Sequence, residues 1–297
     1  MNKILVIVGP TAVGKTSLGA KLAQEYHGEL VSADSRQIYQ SLDIITGKDR
    51  PRGVKVWLLD VVKPDQKFSA ADYFRLGWEA IENIWRRGKL PIVVGGTGFY
   101  LKALLKGLAT IGVPPDWSLR KKLENCSVSE LQKKLREVDP QRAQRMNESD
   151  WQNPRRLIRA IEVAQKRKTV FAAEIKPYHG LIIGLTAPTK VLYERINQRV
   201  KERLQIGAEK EIKALLDRGY TWENSVLGET IGYREWRGFF EGYESKTEVI
   251  AKWQFAEHSY ARRQMTYFRS MKEIHWFDIT EADWADKVEK LVKDWYI

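Results

Sequence analysis

Short continuous apolar runs alternate with amphipathic stretches along the first third of the chain. KILVIV (3–8) lacks the apolar–polar alternation of a half-buried strand, so it reads as a parallel strand covered on both faces. ELVSAD (29–34), VKVWLLD (54–60) and LPIVVGG (90–96) read as three more strands. Helical periodicity fills the intervals, over 15–26 and over 69–87, where Ser69 is an N-cap ahead of AADYF. A further helix opens at about Thr97. Strands alternating with helices predict a parallel sheet with crossover helices.

The texture changes near Gly107. GVPPDW (112–117) carries two prolines, which end any helix. Residues 117–168 are charged and helical without a convincing strand, which predicts a helical insertion into an α/β core. GLIIGLT (180–186) returns to the sheet, 189–218 and 247–271 are helical, and KEIHWFD (272–278) is a last strand before a C-terminal helix. The core then comprises 1–110 and 178–297, and the insertion 111–177. No apolar run is long enough to span a bilayer, and the apolar run at the N-terminus reads as a buried strand rather than a signal peptide.

Composition narrows the class. A chain of 297 residues with 43% hydrophobic and 30% charged residues has the profile of a folded soluble protein. A net charge of +12 attracts polyanions, of which nucleic acid is the common cellular one. A single cysteine, Cys126, excludes an intrachain disulfide and a zinc site of paired cysteines, and it fits a reducing, cytoplasmic setting.

The first candidate chemistry follows the first strand at once. Gly9-Pro10-Thr11-Ala12-Val13-Gly14-Lys15-Thr16 matches G-x-x-x-x-G-K-[ST] between a strand and a helix. The glycines let several backbone N–H groups converge on one anion, and the helix N-terminus adds partial positive charge. Lys15 reaches phosphate oxygens, and the Thr16 hydroxyl is a ligand for Mg²⁺. The expected fold class is therefore α/β, a P-loop NTPase-like parallel sheet flanked by helices with an all-helical insertion domain. Such a cradle serves NTPases, small-molecule kinases and other transferases alike.

Other residues fall around it. Asp34 is expected to end the second strand, facing the crevice that strand ends line in an open α/β sheet, as a general base or a helix cap. Asp60 ends VWLLD like a Walker-B aspartate. Gly95-Gly96-Thr97-Gly98 turns the fourth strand into a helix, either facing the crevice or packing strand on helix. Arg155, Arg156 and Arg159, followed by Lys166, Arg167 and Lys168, make the densest basic stretch, a phosphate grip or a solvated face. Residues 262–269 interleave cations with aromatics as single-strand binders do.

Together the motifs GPTAVGKT (9–16), DSRQIY (34–39), LLDVVKPDQKFSAADY (58–73), PIVVGGTGFYLKALLKGL (91–108), VDPQRAQRMNESDWQNPRRLIRAIEV (138–163), IGYREW (231–236) and ARRQMTYFR (261–269) resemble, in order, the tRNA dimethylallyltransferase family. The chain departs from the family pattern at Ile45–Asp49 and at Glu257-His258. The resemblance implies transfer of a dimethylallyl group from dimethylallyl diphosphate to the exocyclic amino nitrogen of the adenosine 3′ of the anticodon, by a monomer. It implies that Asp34 is the general base, with Lys15 and Thr97 at the reacting centre. It implies tRNA contacts through Asp34, Ser35, Arg36, Gln37, Thr97, Arg120, Arg155, Arg156, Leu157, Ile158, Arg159, Gly232, Tyr233, Arg234, Arg262, Arg263, Gln264 and Arg269. The alternatives are a P-loop small-molecule kinase, a prenyltransferase acting on free adenine nucleotides, and a non-catalytic RNA-binding module.

Overall fold

The computed structural model describes residues 2–107, 110, 113–166 and 175–297. Six parallel strands form one sheet: β1 (Lys3–Val8), β2 (Gly28–Ser32), β3 (Val56–Trp57), β4 (Leu90–Val94), β5 (His179–Thr186) and β6 (His275–Asp278). Their spatial order is β3-β2-β4-β1-β5-β6. β1 is central, with Leu5 opposite Ile92 of β4 and Leu181 of β5.

Burial on both faces explains the missing alternation in β1. Ile4, Val6 and Val8 enter one core with Tyr73, Ile81, Leu101 and Trp253, while Leu5 and Ile7 enter the other with Leu18, Leu22, Val288 and Val292. Each such side chain contributes about 1.5–3 kcal/mol on burial. The helices that supply these partners are α1 (Lys15–Glu25), α2 (Ala70–Arg86) and α3 (Gly98–Lys106), with later ones named below. Ser69 caps α2 as read from sequence, in a reciprocal box with Asp72.

Two strands are shorter than their apolar runs suggest. β2 stops at Ser32, so Asp34 lies in the turn beyond it. β3 keeps only two residues, because Leu58 (φ 64°) and Asp60 (φ 57°) adopt left-handed backbone that leaves the sheet.

The segment between α3 and β5 contains no strand among its described residues. It packs α4 (Trp117–Leu123), α5 (Val128–Val138), α6 (Pro140–Arg145), α7 (Glu148–Trp151) and α8 (Pro154–Gln165). Each starts at a polar cap (Asp116, Ser127, Asp139, Asn147, Asn153) that accepts a first-turn N–H. Leu123, Leu131, Leu135, Leu157 and Ile161 form a cluster separate from the sheet cores, with Cys126 packed at its margin. Arg167, Lys168 and residues 111–112 lie outside the described residues.

After β5 come α9 (Thr189–Gln205) and α10 (Ala208–Asp217), divided at Gly207, whose φ of 110° suits glycine. Two 3₁₀ turns (Val226–Glu229 and Arg234–Trp236) and α11 (Arg237–Phe240) precede the long α12 (Lys246–Arg269), and α13 (Trp284–Tyr296) follows β6. Among the described residues, no helix is long and apolar enough to cross a membrane.

Candidate active site

The loop after β1 curls as its glycines permit. Gly9 has φ 142°, and a Cβ there would stand 2.3 Å from the Leu185 carbonyl oxygen of β5. Gly14, with φ 94°, is the left-handed residue that opens α1. Lys15 folds over the loop, its Nζ donating to the Pro10 carbonyl at 2.7 Å. Burial and then the Arg199 charge lower its pKa to about 7, against the opposing pull of Asp34. A polyanion bound here would place negative charge beside Lys15 and favour its protonated form.

Two distant helices complete the cradle. Arg199 of α9 donates to the Thr11 hydroxyl at 3.3 Å, and burial followed by the Arg203 charge brings its pKa down to about 10. Gln264 of α12 accepts the Thr11 N–H at 2.8 Å and donates to the Gly96 carbonyl at 3.0 Å.

Asp34 and the cradle line one cavity of about 310 Å³, whose lining includes Lys15, Thr16, Asp34, Asp49, Arg199 and Tyr260. One carboxylate oxygen, Oδ1, accepts the N–H groups of Arg36 (2.8 Å) and Gln37 (3.3 Å), an Asx turn that fixes the side chain. Close strand contact fixes the backbone. Ala33 donates to Val94 at 2.8 Å, and a Cβ on Gly95 would lie 2.3 Å from the Ala33 carbonyl oxygen. Thr97 N donates to that same carbonyl, and its hydroxyl accepts the Ser35 N–H at 3.0 Å. Gln37 donates to the carbonyls of Thr46 (3.3 Å) and Gly47 (3.1 Å), placing the 46–49 loop on the cavity wall.

Aromatic rings back the carboxylate. Tyr73 and Tyr100 stack at 4.1 Å, and burial, with the Asp34 charge among the smaller causes, raises both phenols. Tyr260 is raised by burial and then by Asp34. The cavity lining combines an anion cradle, a fixed carboxylate and the Tyr260 ring. It can stabilise a phosphate-bearing leaving group while a base accepts a proton.

The remaining residues divide sharply. Arg155, Arg156, Arg234, Arg262, Arg263 and Arg269 are exposed. Arg155 pairs with Glu229 at 2.9 Å, Arg234 with Glu235 at 2.6 Å, and Arg262 donates to the Tyr193 hydroxyl at 2.6 Å. Leu157 and Ile158 correct the expected tRNA contact. Both are buried in the insertion's core, because they fall on the apolar face of α8. Gly232 and Tyr233 are also buried. A Cβ on Gly232 would stand 2.3 Å from Ile45 Cγ2, and the Tyr233 hydroxyl donates to Glu211 at 2.5 Å. Glu211 accepts the N–H groups of Asp43, Ile44 and Ile45, so this pair shapes the loop that reaches the cavity. Arg120 and Arg159 both bind the fully buried Glu162, and Arg159 also donates to the carbonyls of Thr110 and Val113 at 2.8 Å. Gln264 is buried in the cradle wall instead of on an open face. Asp60 does not line the cavity: its carboxylate binds Lys48 and Arg50. The neighbour of β1 on that side, β4, runs into Gly95-Gly96 and offers no carboxylate.

Sequence reading missed Arg199, Tyr260 and the 46–49 loop. Arg199 looks like any basic residue of an amphipathic helix, and no local signal ties it to a loop so far away in sequence. Tyr260 stands one position before the ARRQMTYFR block.

Comparison with known proteins identifies the family. The family model described as IPP transferase matches residues 37–271. A tRNA dimethylallyltransferase of Acetivibrio thermocellus is 38% identical, with 99% of this chain and 97% of the relative covered. One from Roseiflexus is 39% identical, with 99% of each covered. Among solved structures, the tRNA isopentenylpyrophosphate transferase of Bacillus halodurans superposes with a TM-score of 0.74 at 35% identity, covering 99% of this chain and 95% of that one. A eukaryotic dimethylallyltransferase captured acting on tRNA gives 0.81 at 25% identity, covering 98% and 78%. A model match over most of the chain and relatives this similar along nearly their whole length place the chain in the IPP transferase family.

Proposed function

We propose that this protein transfers a dimethylallyl group from dimethylallyl diphosphate to the exocyclic amino nitrogen of the adenosine 3′-adjacent to the anticodon in tRNA, releasing diphosphate. The observation that supports the reading is that Asp34 and the Lys15 cradle line one cavity. In the reaction the amino nitrogen attacks the allylic carbon as the carbon–oxygen bond to diphosphate breaks. The adenine amine is a weak nucleophile because its lone pair is delocalised. Asp34 accepts the proton that the new C–N bond makes acidic, an effect of about 10²–10⁴-fold. Lys15, Arg199 and the loop N–H groups take the charge that builds on the departing diphosphate. The target base leaves its stack to reach the cavity, at a cost of a few kcal/mol or less in a single-stranded loop.

The cavity also suits Mg²⁺. Its lining supplies hard oxygen donors in Thr16, Asp34 and Asp49, without a cluster of three or more His, Cys, Asp or Glu among the described residues. Thr16 is the proposed protein ligand, with diphosphate oxygens as the others, and the ion would supply further neutralisation of the leaving group. We place the activity in the cytoplasm and assign it to a monomer. Residues 111–177 are read as an inserted tRNA-gripping domain, with exposed Arg155 and Arg156 as phosphate contacts. Incubating unmodified tRNA with dimethylallyl diphosphate and analysing anticodon-loop nucleosides by mass spectrometry tests the reading. A mass gain of one dimethylallyl unit at that adenosine is expected, and an unmodified loop would refute it.

A further inference from the structure

Glu229 stands where the insertion meets the core beside the cavity. Its Oε1 lies 2.9 Å from Nη2 of Arg155 on α8, and its Oε2 lies 3.9 Å from Nη2 of Arg36, two residues after Asp34. One carboxylate thus straddles two guanidiniums with one oxygen toward each, as a phosphodiester straddles a pair of arginines. The carboxylate is carried on a firm support. Val226 N donates to the Pro64 carbonyl at 2.8 Å, the Thr230 hydroxyl donates to the Val226 carbonyl at 2.8 Å, and Leu227 is fully buried. Glu229 itself is half exposed, and Arg155 is 82% exposed, so an incoming strand can reach both. Arg36 also faces inward, since its charge acts on Tyr39, Tyr100 and Tyr260.

We propose that Glu229 is a built-in competitor for RNA: in the free protein it occupies the position of a backbone phosphate between Arg36 and Arg155, and RNA must displace it to dock. The consequence is selectivity. A lone phosphate gains little by breaking two ion pairs, whereas a strand that also engages the rest of the basic face does. The inference rests on the tRNA reading above.

The test measures binding of an unmodified anticodon stem-loop RNA to the full chain at several salt concentrations, for wild type, Glu229→Gln, Arg155→Ala, and Glu229→Gln combined with Arg155→Ala. Glu281→Gln, which removes the same charge from a pair with Lys287, is the control. Glu229→Gln is expected to bind roughly two- to fivefold more tightly, with a salt slope steeper by about 0.7–0.9. At least half of that gain should disappear in the Arg155→Ala background, and the control should match wild type. Equal or weaker binding by Glu229→Gln, or a gain shared by Glu281→Gln, overturns the proposal. Failure of wild type to bind the RNA overturns the tRNA reading and this inference with it, a result distinguishable from the other two.

Discussion

Gln264 accepts the Thr11 N–H through Oε1 at 2.8 Å, tying the longest helix to the first loop across 253 positions of sequence. Its other amide atom donates to Gly96, so one side chain spaces the cradle from the β4 turn. Gln264→Ala should leave a buried donor and a buried acceptor unpaired and cost about 1–3 kcal/mol of stability. Gln264→Glu should cost less in packing but set a carboxylate in an anion site. Chemical denaturation and pyrophosphate calorimetry separate the two, with the glutamate expected to lose more affinity than stability.

Asp34 combines a turn and a base in one carboxylate. Asp34→Asn keeps an oxygen to accept the Arg36 and Gln37 N–H groups, so the loop should hold its shape. Transfer should nevertheless fall by about 10²–10⁴-fold, with RNA affinity near wild type. If Asn retains full activity while Ala does not, Asp34 serves the turn and another group is the base.

The basic residues of the insertion should separate into two classes. Arg120→Ala or Arg159→Ala leaves Glu162 with fewer partners in a fully buried position and should destabilise the protein by about 1–3 kcal/mol. Arg155→Ala with Arg156→Ala should leave stability within about 0.5 kcal/mol and lower the salt dependence of RNA binding by about one to two units of slope. Thermal melts and salt titrations on the same preparations check both halves.

At the opposite end of β2, Glu29 gathers Arg87, Lys89 and the Trp57 indole. The hydrogen bond from Arg87 leads the causes that depress its pKa to about 2. A carboxylate with a lowered folded pKa binds fewer protons folded than unfolded. Its stabilisation is therefore complete above the ordinary value of 4.5 and is lost as pH falls toward 2. Glu29→Gln should flatten the stability profile between those limits, read by denaturant titration at each pH. An unchanged profile would mean that Glu29 is as strongly paired in the unfolded chain.

What was legible in the sequence follows physical range. β1, β4 and β5 announce themselves because continuous apolar runs have no other stable home. The cradle is legible because one contiguous octet, residues 9–16, contains it. The overlong readings of β2 and β3 arise where apolar residues, Ala33 and Leu58, continue past the strand ends into core packing. Arg120, Arg159 and Gln264 were legible as important but not in role. A guanidinium aimed at RNA and one aimed at a buried carboxylate look alike until Glu162 is seen between them. Segment 219–245 carries little periodicity, and its form depends on contacts such as Glu211 with Tyr233.

β1 receives one neighbour, β4, from the first hundred residues and the other, β5, only beyond the helical insertion. A chain emerging from a ribosome therefore holds its central strand half-paired while the whole insertion is being synthesised. Gly9 cannot meet Leu185 until β5 is out, and Thr11 cannot meet Arg199 and Gln264 until α9 and then α12 have emerged. The nascent protein would thus be able to gather its insertion, with its own apolar cluster, well before it can grip a diphosphate. Catalytic competence would then arrive late in translation.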